Sequence, residues 1–203
     1  MSLKVLKFGG SSLADAEHFK QVAEIIKSDP TRRYIVASAP GKRMSTDTKV
    51  TDLLYRISDA AAARDSSEAR NLMSELRTRH VNLASDLLEQ SPALKENAVA
   101  RVNSLCDSLE ELVNAVCAVG ELSDRNKAII ISNGELLSST IICFVMNAKG
   151  IRTNFIDARK MMITSNEYLK AEPDVNEISA RVPEIVGEAF KGMDDSLHYI
   201  FSW

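Results

Sequence analysis

The amino-acid sequence predicts an α/β fold with parallel strands. Short apolar segments alternate with amphipathic helical segments, and residues 3–8, 13–27 and 33–38 have the patterns of a strand, a helix and a second strand. These three segments form a βαβ unit, whose two strands are parallel. The 203 residues, 45% hydrophobic and 26% charged, are enough for one domain with a sizeable core.

The composition narrows the class of protein. A net charge of −3 argues against nucleic acid or an anionic membrane as a partner. No apolar run approaches the roughly 20 residues that cross a bilayer, and strand residues begin too early for a signal peptide. Cys106, Cys117 and Cys143 lie among apolar residues without metal-ligand spacing. We therefore expect reduced core thiols in a cytoplasmic protein, and no metal site.

The first predicted strand leads into a glycine turn. Lys7 lies near the carboxyl end of this strand, Gly9 and Gly10 turn the chain, and an amphipathic helix follows over residues 13–27. Such a turn presents unpaired backbone N–H groups and the positive end of the helix dipole. Glycines also let an anion approach the backbone, because no Cβ stands in the way. The turn therefore predicts a phosphate site.

A simple tight turn is the alternative, with Ser11 or Ser12 as the N-cap of the helix. Strand alternation places Lys7 on the same side as Leu3 and Val5, on an otherwise apolar face. A buried lysine is costly without a partner, and a bound anion supplies one. Lys7 therefore favours the phosphate site.

The second strand ends where ligands bind in α/β folds, outside the carboxyl ends of the strands. It ends at Ser38, and residues 42–49 then form a polar segment that predicts a mobile loop. A helix follows over residues 50–63. Thr51 lies near its start, with a hydroxyl that either caps the helix or binds a ligand.

Residues 64–125 predict a helical hairpin inserted into the α/β domain. Two apolar stripes with helical spacing lie on either side of Ser91-Pro92, and proline is tolerated at a helix start. We expect the charged faces of both helices to be solvated.

The remaining segments continue the alternation of strands and helices. A third strand is predicted over residues 128–132, a helix from 133 to about 149, a fourth strand over 151–157 and a helix over 175–190. Residues 197–203 have the composition of a further strand.

Glu135 would then lie at a helix start. A carboxylate there either interacts favourably with the helix dipole or binds a ligand. His18, His80 and His198 lie far apart in the sequence, and we expect them on the surface or on helix faces.

The sequence resembles one family. Lys7-Phe8-Gly9-Gly10-Ser11-Ser12 is similar to the opening signature of the aspartate kinases, within the amino-acid kinase superfamily. The family often has threonine at the position of Ser11, and serine keeps the hydroxyl group. The resemblance covers residues 3–178 and ends after about Gly192. Further similar stretches follow in the family's order: Ser38-Ala39-Pro40-Gly41, Thr51-Asp52-Leu53-Leu54, Ser132-Asn133-Gly134-Glu135-Leu136, Asp157-Ala158-Arg159 and Ala171-Glu172-Pro173-Asp174.

The resemblance implies a three-layer αβα sandwich with a mostly parallel central sheet. Residues 1–203 would be the N-terminal portion of the catalytic domain, with the helical insertion at about 64–125 and a sheet that is incomplete on its C-terminal side. We expect such a portion, made by truncation, frameshift or gene decay, to have little kinase activity alone. An incomplete sheet exposes an edge and apolar surface, so a homo-oligomer is also expected.

The resemblance also implies an activity. Aspartate kinases transfer the γ-phosphate of ATP, with Mg²⁺, to the β-carboxylate of L-aspartate. This carboxylate is already ionised at neutral pH, so the site must supply charge neutralisation and alignment rather than a general base.

The roles of individual residues follow from the same resemblance. Lys7 would be catalytic and contact the transferring phosphate. The substrate ammonium would be bound by Glu135. Two further groups are implied: phosphate-binding residues Gly9, Gly10 and Ser11, and aspartate-contacting residues Ser38 and Thr51.

Two other interpretations stay open. The chain could belong to another member of the superfamily, acting on a carboxylate, carbamate or phosphate, or be a non-catalytic module that binds aspartate or assembles with another chain. Arg159 and Asp174 lie on family-like stretches, and we expect each to form a structural salt bridge.

Overall fold

The computed structural model describes residues 3–168, 170–190 and 197–202. Its strands are β1 (Lys4–Phe8), β2 (Arg32–Ala37), β3 (Thr153–Ile156) and β4 (His198–Ser202). They form one sheet in the order β1-β2-β4-β3, and all three pairings are parallel. The predicted α/β class is therefore confirmed. The resemblance was expected to end after about Gly192, and the last predicted strand at Trp203. Both residues lie outside the described residues.

Helices connect and cover these strands. Short 3-10 helices span Gly10–Leu13 and Ala158–Lys160. The α-helices are α1 (Ala16–Lys27), α2 (Val50–Ala62), α3 (Ser66–Leu87), α4 (Pro92–Val119), α5 (Asp124–Ala148) and α6 (Val175–Phe190).

The predicted helical hairpin is present as α3 and α4. The Asp65 side chain accepts a hydrogen bond from the backbone N–H of Glu68 and so caps α3. Pro92 occupies the first turn of α4, and Gly120 ends that helix in the left-handed conformation, at φ 72°. Both helices share one hydrophobic core with α1, α2 and α5, so the hairpin extends the main core.

The predicted third strand, residues 128–132, is wrong because this segment lies inside α5. The Ser123 side chain caps α5 by accepting from the N–H of Asn126 at 3.2 Å. Ile130, Asn133, Gly134 and Leu137 are buried, and this i, i+3, i+4, i+7 spacing is the pattern of a one-sided helix. β-branched residues favour strands only weakly, and packing against α2 and α4 overrides that preference.

The two faces of the sheet are covered differently. Leu6, Ile35 and Ile200 pack into the large core beneath α1 to α5. Tyr199 on the opposite face belongs to a smaller cluster, which is packed by Val182 of α6. Helices on both sides give the predicted three-layer order.

Part of the second face stays open. Val5 is 71% exposed and, with Tyr34, Val36 and Phe201, lines an apolar groove of about 470 Å³. This open face determines the environment of Lys7, one of the predicted site residues.

Three minor predictions differ in outcome. Arg159 forms the expected salt bridge, with Asp157 at 2.7 Å. Asp174 instead caps α6 by accepting from the N–H groups of Asn176 and Glu177. His198 is buried in β4, and is neither on the surface nor on a helix.

Helix α5 is long and apolar enough to cross a membrane, with a mean hydropathy of 1.7 over its most apolar window. That window is 67% buried inside the protein, as expected for the central helix of a folded core. The cysteines are free thiols, and burial raises the pKa of Cys106 to about 11 and of Cys143 to about 12.

Candidate active site

A pocket of about 500 Å³ lies at the carboxyl ends of β1 and β2. Phe8 and Ala37 pair at the ends of these parallel strands, so the following segments leave the sheet side by side. Ligands of open α/β sheets bind at such ends. The lining consists of Gly10, Ser11, Ser38, Ala39, Pro40, Gly41, Lys42, Lys49, Thr51 and Glu135.

The structure brings together most of the predicted site residues. The lining contains five of them, namely Gly10, Ser11, Ser38, Thr51 and Glu135, and does not contain Lys7 or Gly9. Residues separated by more than one hundred positions in the sequence thus share one cavity.

The glycine turn differs from the prediction in its helix. Residues Gly10–Leu13 form a 3-10 helix, and α1 begins only at Ala16. Asp15 is the N-cap of α1, since its side chain accepts from the N–H of His18 at 3.0 Å, so neither Ser11 nor Ser12 has that role. The turn therefore offers backbone N–H groups without the dipole of a long helix.

The two glycines of the turn have different surroundings. A Cβ on Gly10 would lie 2.9 Å from the carbonyl oxygen of Ala39, whereas a Cβ on Gly9 would meet nothing within 4 Å. Gly10 is therefore required for close approach of the neighbouring loop. Gly9 leaves open space on the turn, where an anion can approach the backbone.

Lys7 is not buried on an apolar face, and that prediction is wrong. The residue is exposed, because its side of β1 belongs to the open part of the sheet, where Val5 is also exposed. Its charge nevertheless reaches the pocket, since it lowers the pKa of Glu135.

Glu135 is the carboxylate of the pocket. It lies in the middle of α5, so interaction with a helix N-terminus does not explain it. Burial raises its pKa above the ordinary value of 4.5, and hydrogen bonding to its own backbone amide and to that of Ala39 opposes this, as does Lys7. A half-buried carboxylate of this kind favours a cationic ligand group, which would restore its ionisation.

Close packing of α5 against the pocket places Glu135. A Cβ on Gly134 would lie 2.7 Å from the Cβ of Ala39, so only glycine allows this approach. One turn further along α5, the Ser138 hydroxyl donates to the carbonyl oxygen of Ser38 at 2.7 Å. These two contacts fix Glu135 beside the end of β2.

Thr51 lies in the first turn of α2 and lines the pocket. The N-cap of this helix is Lys49, and no side-chain hydrogen bond caps it. The hydroxyl of Thr51 therefore does not cap the helix, and its role in ligand binding stays a prediction.

Three cationic residues at the pocket were not predicted from the sequence. Lys42 and Lys49 line the pocket, and their position in a polar loop after a buried strand was the available signal. Arg79 of α3 is buried and donates hydrogen bonds to this loop, although the charged faces of the hairpin were expected to be solvated.

The fold agrees with the family to which the sequence is similar. The profile of the Amino acid kinase family matches residues 2–195. The chain belongs to this family.

Proteins similar to this chain in sequence include aspartokinases and bifunctional aspartokinase/homoserine dehydrogenases. It is 37% identical over 131 residues to aspartokinase 3 of Bacillus subtilis, a match that covers 63% of this chain and 28% of that protein. It is 29% identical over 185 residues to the chloroplastic bifunctional aspartokinase/homoserine dehydrogenase 1 of Arabidopsis thaliana, covering 89% of this chain and 19% of that one. The chain thus spans less than a third of the length of these two relatives.

Solved aspartokinases have the same fold. E. coli aspartokinase III in complex with lysine and aspartate superimposes with a TM-score of 0.81 at 21% identity, over 98% of this chain and 40% of that one. Aspartate kinase of Clostridium acetobutylicum gives a TM-score of 0.69 at 25% identity, over 100% of this chain and 39% of that one.

Proposed function

We propose that this chain is part of an aspartate kinase and binds L-aspartate and the phosphates of ATP. The complete enzyme would transfer the γ-phosphoryl group of ATP to the β-carboxylate of L-aspartate, giving ADP and 4-phospho-L-aspartate. One observation carries this proposal, namely the single pocket that holds Glu135, Thr51 and Ser38 together with Gly10 and Ser11 of the glycine turn. The names of the curated relatives support it, as does E. coli aspartokinase III, which was solved with aspartate and ADP.

The aspartate end of the pocket is the end with Glu135. Its carboxylate pairs with the α-ammonium of the substrate, an interaction that partial burial strengthens. The hydroxyls of Ser38 and Thr51 provide donors for the carboxylate groups of the substrate.

The phosphate end is the glycine turn. Backbone N–H groups near Gly9, Gly10 and Ser11 donate to phosphate oxygens, and the ammonium of Lys7 stabilises the charge that develops during transfer. In that step the β-carboxylate oxygen bonds to the γ-phosphorus while the bond from this phosphorus to the ADP oxygen breaks. No proton has to move, because the nucleophile is already ionised.

Mg²⁺ is expected with the nucleotide, but the residues described do not by themselves fit a site for it. Mg²⁺ prefers carboxylate and phosphate oxygens, and the pocket lining holds one carboxylate, that of Glu135, which we assign to the substrate ammonium. Over the described ranges, no group of three or more His, Cys, Asp and Glu side chains is placed to hold a metal ion.

The setting of this reaction is a soluble, cytoplasmic enzyme. This part of the proposal rests on the bacterial aspartokinase relatives and on the burial of α5 in the core. A homo-oligomer stays a prediction.

The substitution Glu135→Gln tests the aspartate site. We expect L-aspartate to bind about 10–100-fold more weakly, because a charge-assisted interaction is lost, and ATP binding to change much less. Isothermal titration calorimetry with each ligand measures both effects. Equal losses for the two ligands would contradict the assignment.

The pH dependence of the same titration provides a second readout. The ionised form of Glu135 binds the ammonium, so affinity should fall as pH decreases through its raised pKa. This fall should be absent in Glu135→Gln. The matched control is Glu121→Gln, which removes one exposed carboxylate outside the pocket and should leave the affinity and its pH profile unchanged.

Trapping of aspartyl phosphate with hydroxylamine tests whether this chain turns over by itself, and we expect little product because the chain spans less than a third of the length of its relatives. A module that only binds aspartate gives heat in the titration and no hydroxamate when ATP is added. Formation of hydroxamate by this chain alone would show that it carries every residue that turnover needs.

A further inference from the structure

The segment between β2 and α2 supplies most of the pocket lining. Residues 38–42 and Lys49 line the pocket, and both Lys42 and Lys49 are exposed, which places their ammonium groups at its rim. Residues 41–49, here called the cationic loop, carry three cations and one carboxylate, Asp47. What fixes this loop therefore fixes two ammonium groups beside the pocket.

Arg79 joins the two ends of the cationic loop. Its guanidinium donates to the carbonyl oxygen of Thr48 at 2.7 Å and also to that of Gly41. These residues directly precede Lys49 and Lys42 in the sequence. The side chain of Arg79 is only 5% exposed, so the contact is enclosed by protein and shielded from solvent.

Asp47 balances the charge of this arrangement. It lies 3.5 Å from the guanidinium of Arg79 and accepts two hydrogen bonds from the guanidinium of Arg43, at 2.7 and 2.8 Å. Arg43 holds the pKa of Asp47 well below its ordinary value, so this carboxylate is ionised. Because Asp47 is engaged by two arginines, it does not neutralise Lys42 or Lys49.

The contact of Arg79 extends to the glycine turn. The N–H of Gly41 donates to the carbonyl oxygen of Gly10 at 2.8 Å, and a Cβ on Gly41 would lie 2.7 Å from the same oxygen. Arg79 therefore holds Gly41 from one side while the turn holds it from the other. A shift of the cationic loop would be felt at the phosphate end of the pocket.

We propose that Arg79 is a positioning residue, which clamps the cationic loop against the glycine turn and holds Lys42 and Lys49 at the rim to bind anionic groups of the ligand. The ligand class is an acidic amino acid or a phosphate ester. The part played by the lysines rests on the proposed function, and the clamp itself does not. A contact needed only for folding would not require an arginine, because burying a charge is costly and apolar side chains pack as well or better.

Amide hydrogen exchange of the ligand-free protein tests the clamp. The reporters are the N–H groups of Gly41, bonded to Gly10, and of Val50, bonded to the carbonyl oxygen of Pro40 at 3.1 Å. In Arg79→Met their exchange should accelerate by about tenfold or more, because hydrogen bonds to a charged group are lost and the loop opens locally. Amides of α1 should exchange as before.

A second arginine of α3 provides the matched control. Arg77 contacts α4, through Asp107 at 2.7 Å and Glu110 at 3.0 Å, and has no part in the pocket lining. Arg77→Met should leave the exchange of Gly41 and Val50 unchanged. Equal acceleration in Arg77→Met and Arg79→Met would overturn the clamp, as would unchanged exchange in Arg79→Met.

Titration with L-aspartate and with ATP tests the lysines. We expect the double variant Lys42→Met/Lys49→Met to bind at least one of the two ligands about tenfold more weakly or worse, since charge-assisted contacts are lost, with unchanged exchange of Gly41. Arg79→Met should weaken binding and accelerate exchange together. Unchanged affinities in the lysine variant would overturn the anion-binding role.

These experiments distinguish failure of the proposed function from failure of the clamp. If the wild-type protein binds neither ligand, the proposed function and the role of the lysines fail, while hydrogen exchange still decides the clamp. If Arg79→Met does not fold, Arg79→Lys takes its place. It keeps the charge but lacks the planar fork that spans two carbonyl groups, so the same acceleration is expected.

Discussion

At the scale of single residues, Lys7 influences the pocket through its charge. It is exposed on β1, and it opposes the rise of the pKa that burial imposes on Glu135. An exposed lysine adds little to folding, which separates its electrostatic role from any structural one.

Lys7→Ala should raise the pKa of Glu135 further, because the nearby positive charge is removed. The free energy of unfolding should change by less than about 0.5 kcal/mol. Carbon-13 NMR titration of the Glu135 carboxyl group and urea unfolding measure the two effects. Lys4→Ala is the matched control on the same strand, since Lys4 pairs with Asp29 at 2.6 Å. An equal change of the Glu135 pKa in both variants would contradict a specific role for Lys7.

His80 links stability to pH. It is fully buried in α3, its Nδ1 bonds to the carbonyl oxygen of Leu76 at 2.8 Å, and burial lowers its pKa to about 4 from an ordinary value of 6.5. The unfolded chain therefore binds a proton below pH 6.5 that the folded protein does not accept until about pH 4. The contribution of neutral His80 to the free energy of unfolding is therefore fully present above pH 6.5, and it is lost as the pH falls from 6.5 to about 4.

His80→Leu should remove this contribution to the pH dependence. In the wild-type protein, protonation of His80 should lower the free energy of unfolding by about 3 kcal/mol between pH 6.5 and 4, at about 1.4 kcal/mol for each pH unit. Urea unfolding at several pH values measures the slope for both proteins. Parallel slopes would show that His80 does not titrate as described.

At the scale of secondary structure, α5 is the element that assembles the site. It presents Glu135 to the pocket, packs Gly134 against the segment after β2, and ties Ser138 to the end of that strand. Its close approach depends on the missing side chain of Gly134.

Gly134→Ala should destabilise the protein by about 1–2 kcal/mol, although alanine is the better helix former, because overpacking against Ala39 outweighs the gain in helix propensity. Gly187→Ala in α6 is the matched control. A Cβ there meets nothing within 4 Å, so this change should stabilise by about 0.5–1 kcal/mol. Thermal unfolding of both variants measures the difference, and stabilisation by both would contradict the close packing of α5.

At the scale of the whole molecule, the sheet is covered unequally. Helices α1 to α5 bury one face, while the other is covered by α6 at one end and is open around Val5 and Phe201. This arrangement explains why Lys7 is exposed on a strand whose apolar neighbours suggested burial.

The fold was largely predictable from local patterns. The helical spacing of the hairpin, the proline start of α4 and the order of strand, glycine turn and helix at the N-terminus each reflect a short-range preference. The wrong strand at residues 128–132 arose because an isoleucine-rich run has the same local pattern as a buried strand. Only packing against α2 and α4 makes it helical.

The sequence by itself determined the α/β class, the glycine turn and half of the ten residues that line the pocket, because periodicity, turn chemistry and short motifs are local properties. The tertiary structure decided which face of β1 is open, where Glu135 lies along its helix, and that Arg79 reaches a loop more than thirty positions away. These features depend on contacts between distant segments, whose geometry no local pattern specifies.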